Sequence, residues 1–292
     1  VYRTPAPVAE RPAGTRPSLG VTAFAHRRFG EGTHRIDDDF SIRHFTDLTD
    51  GYGVTYRPDI AERSGGNSFT SMATELLGAL APLPGPVGLA VVGHTTPDVD
   101  CRYAAATYLS EVLPGGPLCF AVSDSGRCTP FATLRLAGDY ADRHGHEYVL
   151  VLLADQATLP YETGAPPEND PVGDAAVALL LGRGDPAGDA GGHIVRHVAG
   201  VAETDLASVL RQQCASLPVP VTVLAGPGVD PERHLPPRGA RIERVPAGYP
   251  CTGLLGALAE LPADGRDGPV LLVDHDAATG DLGLLMITGG LP

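Results

Sequence analysis

No lysine occurs among the 292 residues, and all 21 basic side chains are arginine. Schiff-base chemistry and a lysine general base are thereby excluded. Positive charge is short overall, with 35 Asp and Glu against those 21 arginines and a formal charge of -14. Such an excess repels phosphate backbones and anionic lipid, so no nucleic acid and no membrane surface is expected as a partner. Five cysteines, Cys101, Cys119, Cys128, Cys214 and Cys251, are too few and too scattered for a disulfide framework, and none forms a C-x-x-C pair. A reducing cytoplasm is the expected compartment. No apolar run reaches the length of a membrane span. Residues 1–19 are rich in Pro and Arg, lack the apolar stretch of a secretory signal, and read as a flexible arm. Asparagine is nearly missing, since Asn67 and Asn169 are the only two.

What is present is a chain 43% hydrophobic, enough for one large α/β domain or two similar halves. Short continuous apolar runs predict strands over 20–24, 88–92, 118–122, 148–154, 172–181 and 193–202. Helical spacing predicts helices over 68–80, 102–113 and 129–143, each closed by Pro or Gly or by the next strand. The βαβα order implies parallel pairing with helices on the sheet faces. After a Gly/Asp-rich boundary at 182–192 come a helix over 205–217, a strand over 219–225, a helix over 253–261 and strands over 270–273 and 282–288. The expected halves are therefore 20–182 and 193–292. The acidic run Asp37-Asp38-Asp39 reads as a solvated loop.

Four landmarks in this order carry a resemblance. Leu89 to Gly93 followed by His94-Thr95-Thr96-Pro97-Asp98, the strand end Phe120-Ala121-Val122-Ser123, the strand Tyr148 to Asp155, and Val172-Gly173-Asp174-Ala175-Ala176-Val177 recur at matching intervals. Together they resemble the thiolase superfamily, in its ketoacyl-acyl carrier protein synthase III branch. The resemblance implies an α/β thiolase-like fold of two βαβα halves, with buried helices between mixed sheets. It also implies acyl-thioester chemistry of fatty acid, polyketide or natural product metabolism, with an acyl-CoA or acyl carrier protein as partner and no further cofactor.

In that family a Cys thiolate at a helix N-terminus takes the acyl group, and a His and an Asn from the second half stabilise the developing charge. Counting from the flanking strands puts the nucleophile among Ser125, Gly126, Arg127 and Cys128, with Cys128 the nearest thiol and Ser125 the alternative hydroxyl. Ser123, Asp124 and Ser125 also have the character of N-caps. At the His place stand Gly226-Pro227-Gly228, and the next His is His234. At the Asn place stand Cys251 and Thr252, which are read as pocket residues. His275, between Asp274 and Asp276, is a candidate for a rebuilt acid/base partner or an exposed turn. Asp100 and Cys101 lie in the loop that, in the resembled family, borders the dimer interface and lines the neighbour's acyl pocket.

The resemblance thus implies a homodimer, or a heterodimer with a competent condensing subunit in which this chain is accessory. The alternative is an acyltransferase that passes an acyl group from CoA or a carrier protein to an alcohol or amine through Cys128 or Ser125. Close His pairs, His144 with His146 and His193 with His197, lack a third ligand in sequence, so no metal is expected.

Overall fold

The structure, a computed structural model, describes residues 19–63, 65–164, 166–183, 192–235, 239–262, 265 and 268–288. The expected arm, apart from Leu19, and most of the boundary segment lie outside the described residues. Apolar runs of four to eight residues, too short for helices, become strands. One sheet holds β1 (Leu19–Phe29), β2 (Leu89–His94), β3 (Leu118–Val122), β4 (Tyr148–Asp155) and β5 (Asp174–Arg183), in the order β1-β5-β4-β2-β3. The other holds β6 (His193–Val198), β7 (Thr222–Ala225), β8 (Arg241–Arg244), β9 (Val270–Asp276) and β10 (Asp281–Ile287), in the order β6-β10-β9-β7-β8. Both sheets are mixed, with the same sequence of pairings: two antiparallel, then two parallel.

Eight helices complete the described chain: α1 (Asp39–Tyr52), α2 (Pro58–Arg63), α3 (Phe69–Leu80), α4 (Ala105–Val112), α5 (Thr129–His144), α6 (Leu206–Cys214), α7 (Pro231–His234) and α8 (Gly253–Glu260). Strand side chains alternate between faces, and the core follows that alternation. Val91, Val151, Val177 and Leu179 turn inward and meet Phe131 and Leu134 of α5, Leu255 and Leu258 of α8, and Leu272 and Leu285 of the second sheet. Ala90, Val92, Leu150 and Leu152 turn outward under α3 and α4, and Val223, Leu271 and Leu284 pack with Leu206 and Leu210 of α6. The result is five layers, with α5 and α8 buried between the sheets. Each fully buried Leu or Phe of this kind contributes about 1.5–3 kcal/mol.

Three expectations change. The acidic run is a loop only at Asp37 and leads into α1, which begins at Asp39: the Asp38 carboxylate accepts hydrogen bonds from the Phe40 and Ser41 N–H groups and the Ser41 hydroxyl, and Gly53 closes the helix in the left-handed region at φ 67°. β1 runs to Phe29 because it pairs with β5 along its whole length. His275 lies in β9 rather than in a turn, because β9 continues through Asp276 against β10.

The sheet ends differ in charge. β1 carries Arg27 and Arg28, β6 carries Arg196, and β8 carries Arg241, Glu243 and Arg244, whereas β3 reads Leu-Cys-Phe-Ala-Val without a charge. Charged side chains on an edge deter pairing with other chains, so β3 is the unguarded edge.

Candidate functional site

The carboxyl ends of the parallel strands, where open α/β sheets bind ligands, meet at the N-termini of α5 and α8. Between β3 and α5 the chain turns sharply, with Asp124 at φ 72° and Gly126 at φ 48°. A Cβ on Gly126 would lie 1.9 Å from Asp276 Oδ2, so glycine is what lets the loop approach that carboxylate. The Arg127 N–H then donates to Asp276 Oδ2 at 3.0 Å.

The Arg127 side chain, only 5% exposed, runs into the junction between the sheets. Its Nη1 donates to Asn169 Oδ1 at 2.6 Å and its Nη2 to the His275 carbonyl at 2.7 Å. Nε lies 3.4 Å from Asp274 Oδ2, an ion-pair contact outside hydrogen-bond geometry. Asn169 Nδ2 returns to Asp276 Oδ2 at 3.0 Å. Asp274 Oδ1 accepts from the Gly228 and His275 N–H groups at 2.9 and 2.8 Å. The backbone at Gly226 and Gly228 packs tightly here: added Cβ atoms would stand 2.3 Å from Asp274 Cγ and 1.7 Å from the His275 carbonyl oxygen. The guanidinium thus faces Asp274, while Asp276 is held by the Arg127 N–H and by Asn169, and burial pushes Asp274 up to about 6 despite the pull of Arg127.

A matching arrangement serves α8. Asp155, the last residue of β4, accepts from the Cys251 N–H at 2.9 Å, the Thr252 N–H at 2.8 Å and the Thr252 hydroxyl at 2.7 Å. Asp276 is likewise the last residue of β9. Each buried helix therefore has its N-terminus capped by a carboxylate from the opposite sheet, where anionic groups are favoured.

The candidates from the sequence fall around this network without converging. Cys128 is buried, with Sγ 3.1 Å from the Asp281 carbonyl oxygen and 3.7 Å from that of Asp274. Burial first, then the Asp274 charge, pushes its pKa up, which keeps it a thiol rather than a nucleophilic thiolate. Ser125 is partly exposed on the rim, and its side chain makes no capping bond. Strand alternation places His275 on the face opposite Asp274 and Asp276, where Nε2 donates to the Val201 carbonyl at 2.9 Å. His234 ends α7 in the outer layer and accepts the Asp230 N–H on Nδ1 at 3.0 Å.

Asp100 accepts the Arg102 N–H at 3.0 Å and lies 3.9 Å from His34 Nδ1, while Cys101 Sγ is 3.8 Å from Ser41 Oγ, all in the loop after β2. Cys251 and Thr252 belong to the α8 cap, with Cys251 Sγ 3.3 Å from the Gly93 carbonyl oxygen. Among the described residues no hydrogen bond joins any two of Cys128, Ser125, His234 and His275, and no three His, Cys, Asp or Glu side chains are placed to hold a metal ion. No described helix is long and apolar enough to cross a membrane.

Arg127, Asn169, Asp274 and Asp276, with Gly226 and Gly228, are the site residues that sequence reasoning did not assemble. Asp274 and Asp276 carried a signal, since two residues at period 2 after the run Val270 to Val273 share a strand face. Two cavities adjoin the network, one lined by Arg127, Asp274, Pro227 and Tyr249, the other by Phe131, Leu134, Cys251 and Leu255. Each has about 10 Å³ of room, the space of a single water.

Solved structures share this architecture over nearly its whole length. AbyA1, a tetronic acid condensing enzyme, superposes with a TM-score of 0.59 at 17% identity over 93% of this chain and 100% of its own. ChlB3, an acyltransferase, gives 0.57 at 15% over 94% and 99%. A Cys-to-Ser variant of Xanthomonas campestris OleA, with bound lauric acid and lauroyl-CoA, gives 0.57 at 13% over 93% and 99%. The chain has the thiolase fold. No family model and no curated protein matches the sequence. Within the thiolase fold, then, the junction at the N-termini of α5 and α8 is occupied by Arg127 and two aspartates.

Buried carboxyls give this thiolase-fold protein a distinctive pH response. Burial raises Asp98 to about 7 and Asp155 and Asp274 to about 6. A folded-state pKa above the unfolded value means that the native state holds the extra proton, so stability declines as pH rises from about 4 to 7. Histidines whose pKa burial lowers, such as His94 and His193, act oppositely below about 6.5. Comparison with Asp98→Asn isolates one carboxyl. In urea unfolding the wild type is expected to lose more stability than the variant between about pH 5 and 7.5, by more than about 1 kcal/mol. Parallel curves would show that Asp98 is ionised without cost.

Proposed function

We propose that this protein is a non-catalytic thiolase-fold subunit of acyl-thioester metabolism, paired with a second thiolase-fold chain that carries out the condensation. The observation that carries this reading is the buried Arg127 guanidinium, which with Asp274 and Asp276 fills the junction where a reacting acyl group and its nucleophile would have to meet. Acyl transfer needs a thiolate or an activated hydroxyl beside a base. The Cys128 thiol instead faces two backbone carbonyls, and the histidines lie in other layers. A strand edge without charge at β3 supports the pairing, and Val112 and Leu118 beside it are exposed apolar side chains.

The test is intact-mass analysis of the purified chain after incubation with acyl-CoA and acyl carrier protein thioesters. No acyl mass is expected on any residue. In parallel, iodoacetamide is expected to label the partly exposed Cys101 in the native protein, and Cys128, Cys214 and Cys251, all buried, only after unfolding. An acyl mass mapped to Cys128 or Ser125 would overturn the proposal in favour of an acyltransferase.

A further inference from the structure

The loop that joins β4 to β5 walls a cleft of about 440 Å³, far roomier than the two cavities beside the junction at about 10 Å³ each. Such a volume is that of a small-molecule site. The loop is pinned from several directions. The Ala157 N–H donates to Asp174 Oδ1 at 2.9 Å across its base. The Arg57 N–H donates to the Pro160 carbonyl at 2.6 Å, and the Arg57 guanidinium pairs with Asp59 and Glu162, which ties the loop to the start of α2. Gly164 turns the chain in the left-handed region at φ 67°.

The lining combines apolar surface with acceptors. Leu159 belongs to the small core of Ile36, Phe45 and Val99, Tyr161 packs against that core, and Ile60 of α2 adds a third apolar side chain. Glu162, Thr163 and Asp170 supply oxygens, and no arginine or histidine lines the space. Asp170 Oδ1 accepts the Thr163 hydroxyl at 2.8 Å, and among the described residues Asp170 has no ion pair. One arginine therefore serves three carboxylates, Asp59, Glu162 and Asp170, and the cleft keeps a net negative charge. Burial lifts the Tyr161 hydroxyl to about 12, so it stays a neutral phenol whose ring face is open to a cation.

Phosphates of CoA and a free acyl carboxylate meet only repulsion in such a cleft. A protonated amine on an apolar body finds charged acceptors, an apolar floor and an aromatic ring. We propose that the cleft between α2 and the β4–β5 loop binds a small primary amine carried on an aryl or alkyl group, its ammonium at Asp170 and Glu162 and its apolar part against Ile60, Leu159 and Tyr161. The cleft is separate from the junction, and the inference holds whether or not the chain has a catalytic partner. The two places are neighbours in the chain, since Asn169, which receives Arg127 Nη1, is the residue before Asp170.

Isothermal titration calorimetry of the full chain tests it, at about pH 7.5, where an alkylamine is charged. The probes are phenethylamine and hexylamine, and the controls are phenethyl alcohol, hydrocinnamate and CoA. Phenethylamine is expected to bind at least about tenfold more tightly than phenethyl alcohol, the worth of one charge-assisted hydrogen bond, with no binding of hydrocinnamate or CoA. Asp170→Asn is expected to weaken the amine by about tenfold. Ala157→Arg, at an exposed lining position, is expected to abolish binding by placing a cation in the cleft. Melting curves of both variants, expected to match wild type, show that the fold is kept. Equal affinity for amine and alcohol, an amine affinity unchanged in either variant, or binding of CoA in place of the amine would overturn the site. So would the absence of both heat and thermal shift with either amine at millimolar concentration. None of these outcomes touches acyl loading of Cys128 or Ser125, so the non-catalytic reading stands or falls separately.

Discussion

Arg127→Met lowers the melting temperature by roughly 6–20 °C at neutral pH, because it leaves Asp274 buried without its cation and takes a donor from Asn169 Oδ1 and from the His275 carbonyl. Breaking a buried ion pair from one side costs about 3–5 kcal/mol, and for a domain of this size each kcal/mol moves the midpoint by roughly 2–4 °C. Met preserves most of the buried aliphatic stem, so the loss reports charge and hydrogen bonding rather than volume. Two further measurements separate this account from generic core damage. The deficit should shrink on acidification, since Asp274 already titrates near 6 beside its arginine and would titrate higher without it. Adding Asp274→Asn should recover part of the lost stability. A single variant as stable as wild type would mean that the guanidinium contributes nothing net, as some buried pairs do.

Gly228→Ala is expected to yield little folded protein, or a fold weakened by more than about 4 kcal/mol. The added carbon would stand 1.7 Å from the His275 carbonyl oxygen and 2.7 Å from Arg127 Nη2. The first of these is backbone in β9, held between β7 and β10, so neither side can yield cheaply. Gly138→Ala is the contrasting change. No atom lies within 4 Å of a Cβ at Gly138, inside α5, and alanine there should stabilise by about 0.5–1 kcal/mol. Thermal melts of the two variants would show whether the glycines around Asp274 are required by space or merely tolerated.

The elements legible in the sequence were those whose burial writes a pattern. β2 and β4 were found because sheets covered on both faces need continuous apolar runs, and α5 because Phe131, Leu134 and Ala137 recur at helical spacing. α1 was missed because the face it buries is Ser41, Phe45 and Thr49, two of them hydroxyl residues that leave little apolar periodicity. Site residues were harder for a different reason. Asp274 and Asp276 sit in a polar Asp-His-Asp triplet that reads as a turn, and only pairing with β10 makes it a strand. Asn169 lies in the first half of the sequence, yet the loop before β5 carries it to Asp276 in the second. Arg127 gave no local sign of burial, because its partners lie 42 to 149 residues away. The fold resemblance was sound in the regions where apolar pattern and loop motifs coincide, and it could not say what fills the junction.

The exchanged carboxylates have a consequence for cooperativity. Since Asp155 of the first sheet finishes α8 and Asp276 of the second finishes α5, each half supplies an electrostatic terminus that the other lacks. Opening the seam exposes both helix ends and takes from Asp155 its Cys251 and Thr252 donors and from Asp276 Oδ2 its Arg127 and Asn169 donors, so a partly opened state keeps few of the contacts that join the halves. The sheets are therefore expected to melt as one unit: the van't Hoff enthalpy from a spectroscopic melt should equal the calorimetric enthalpy for the whole chain.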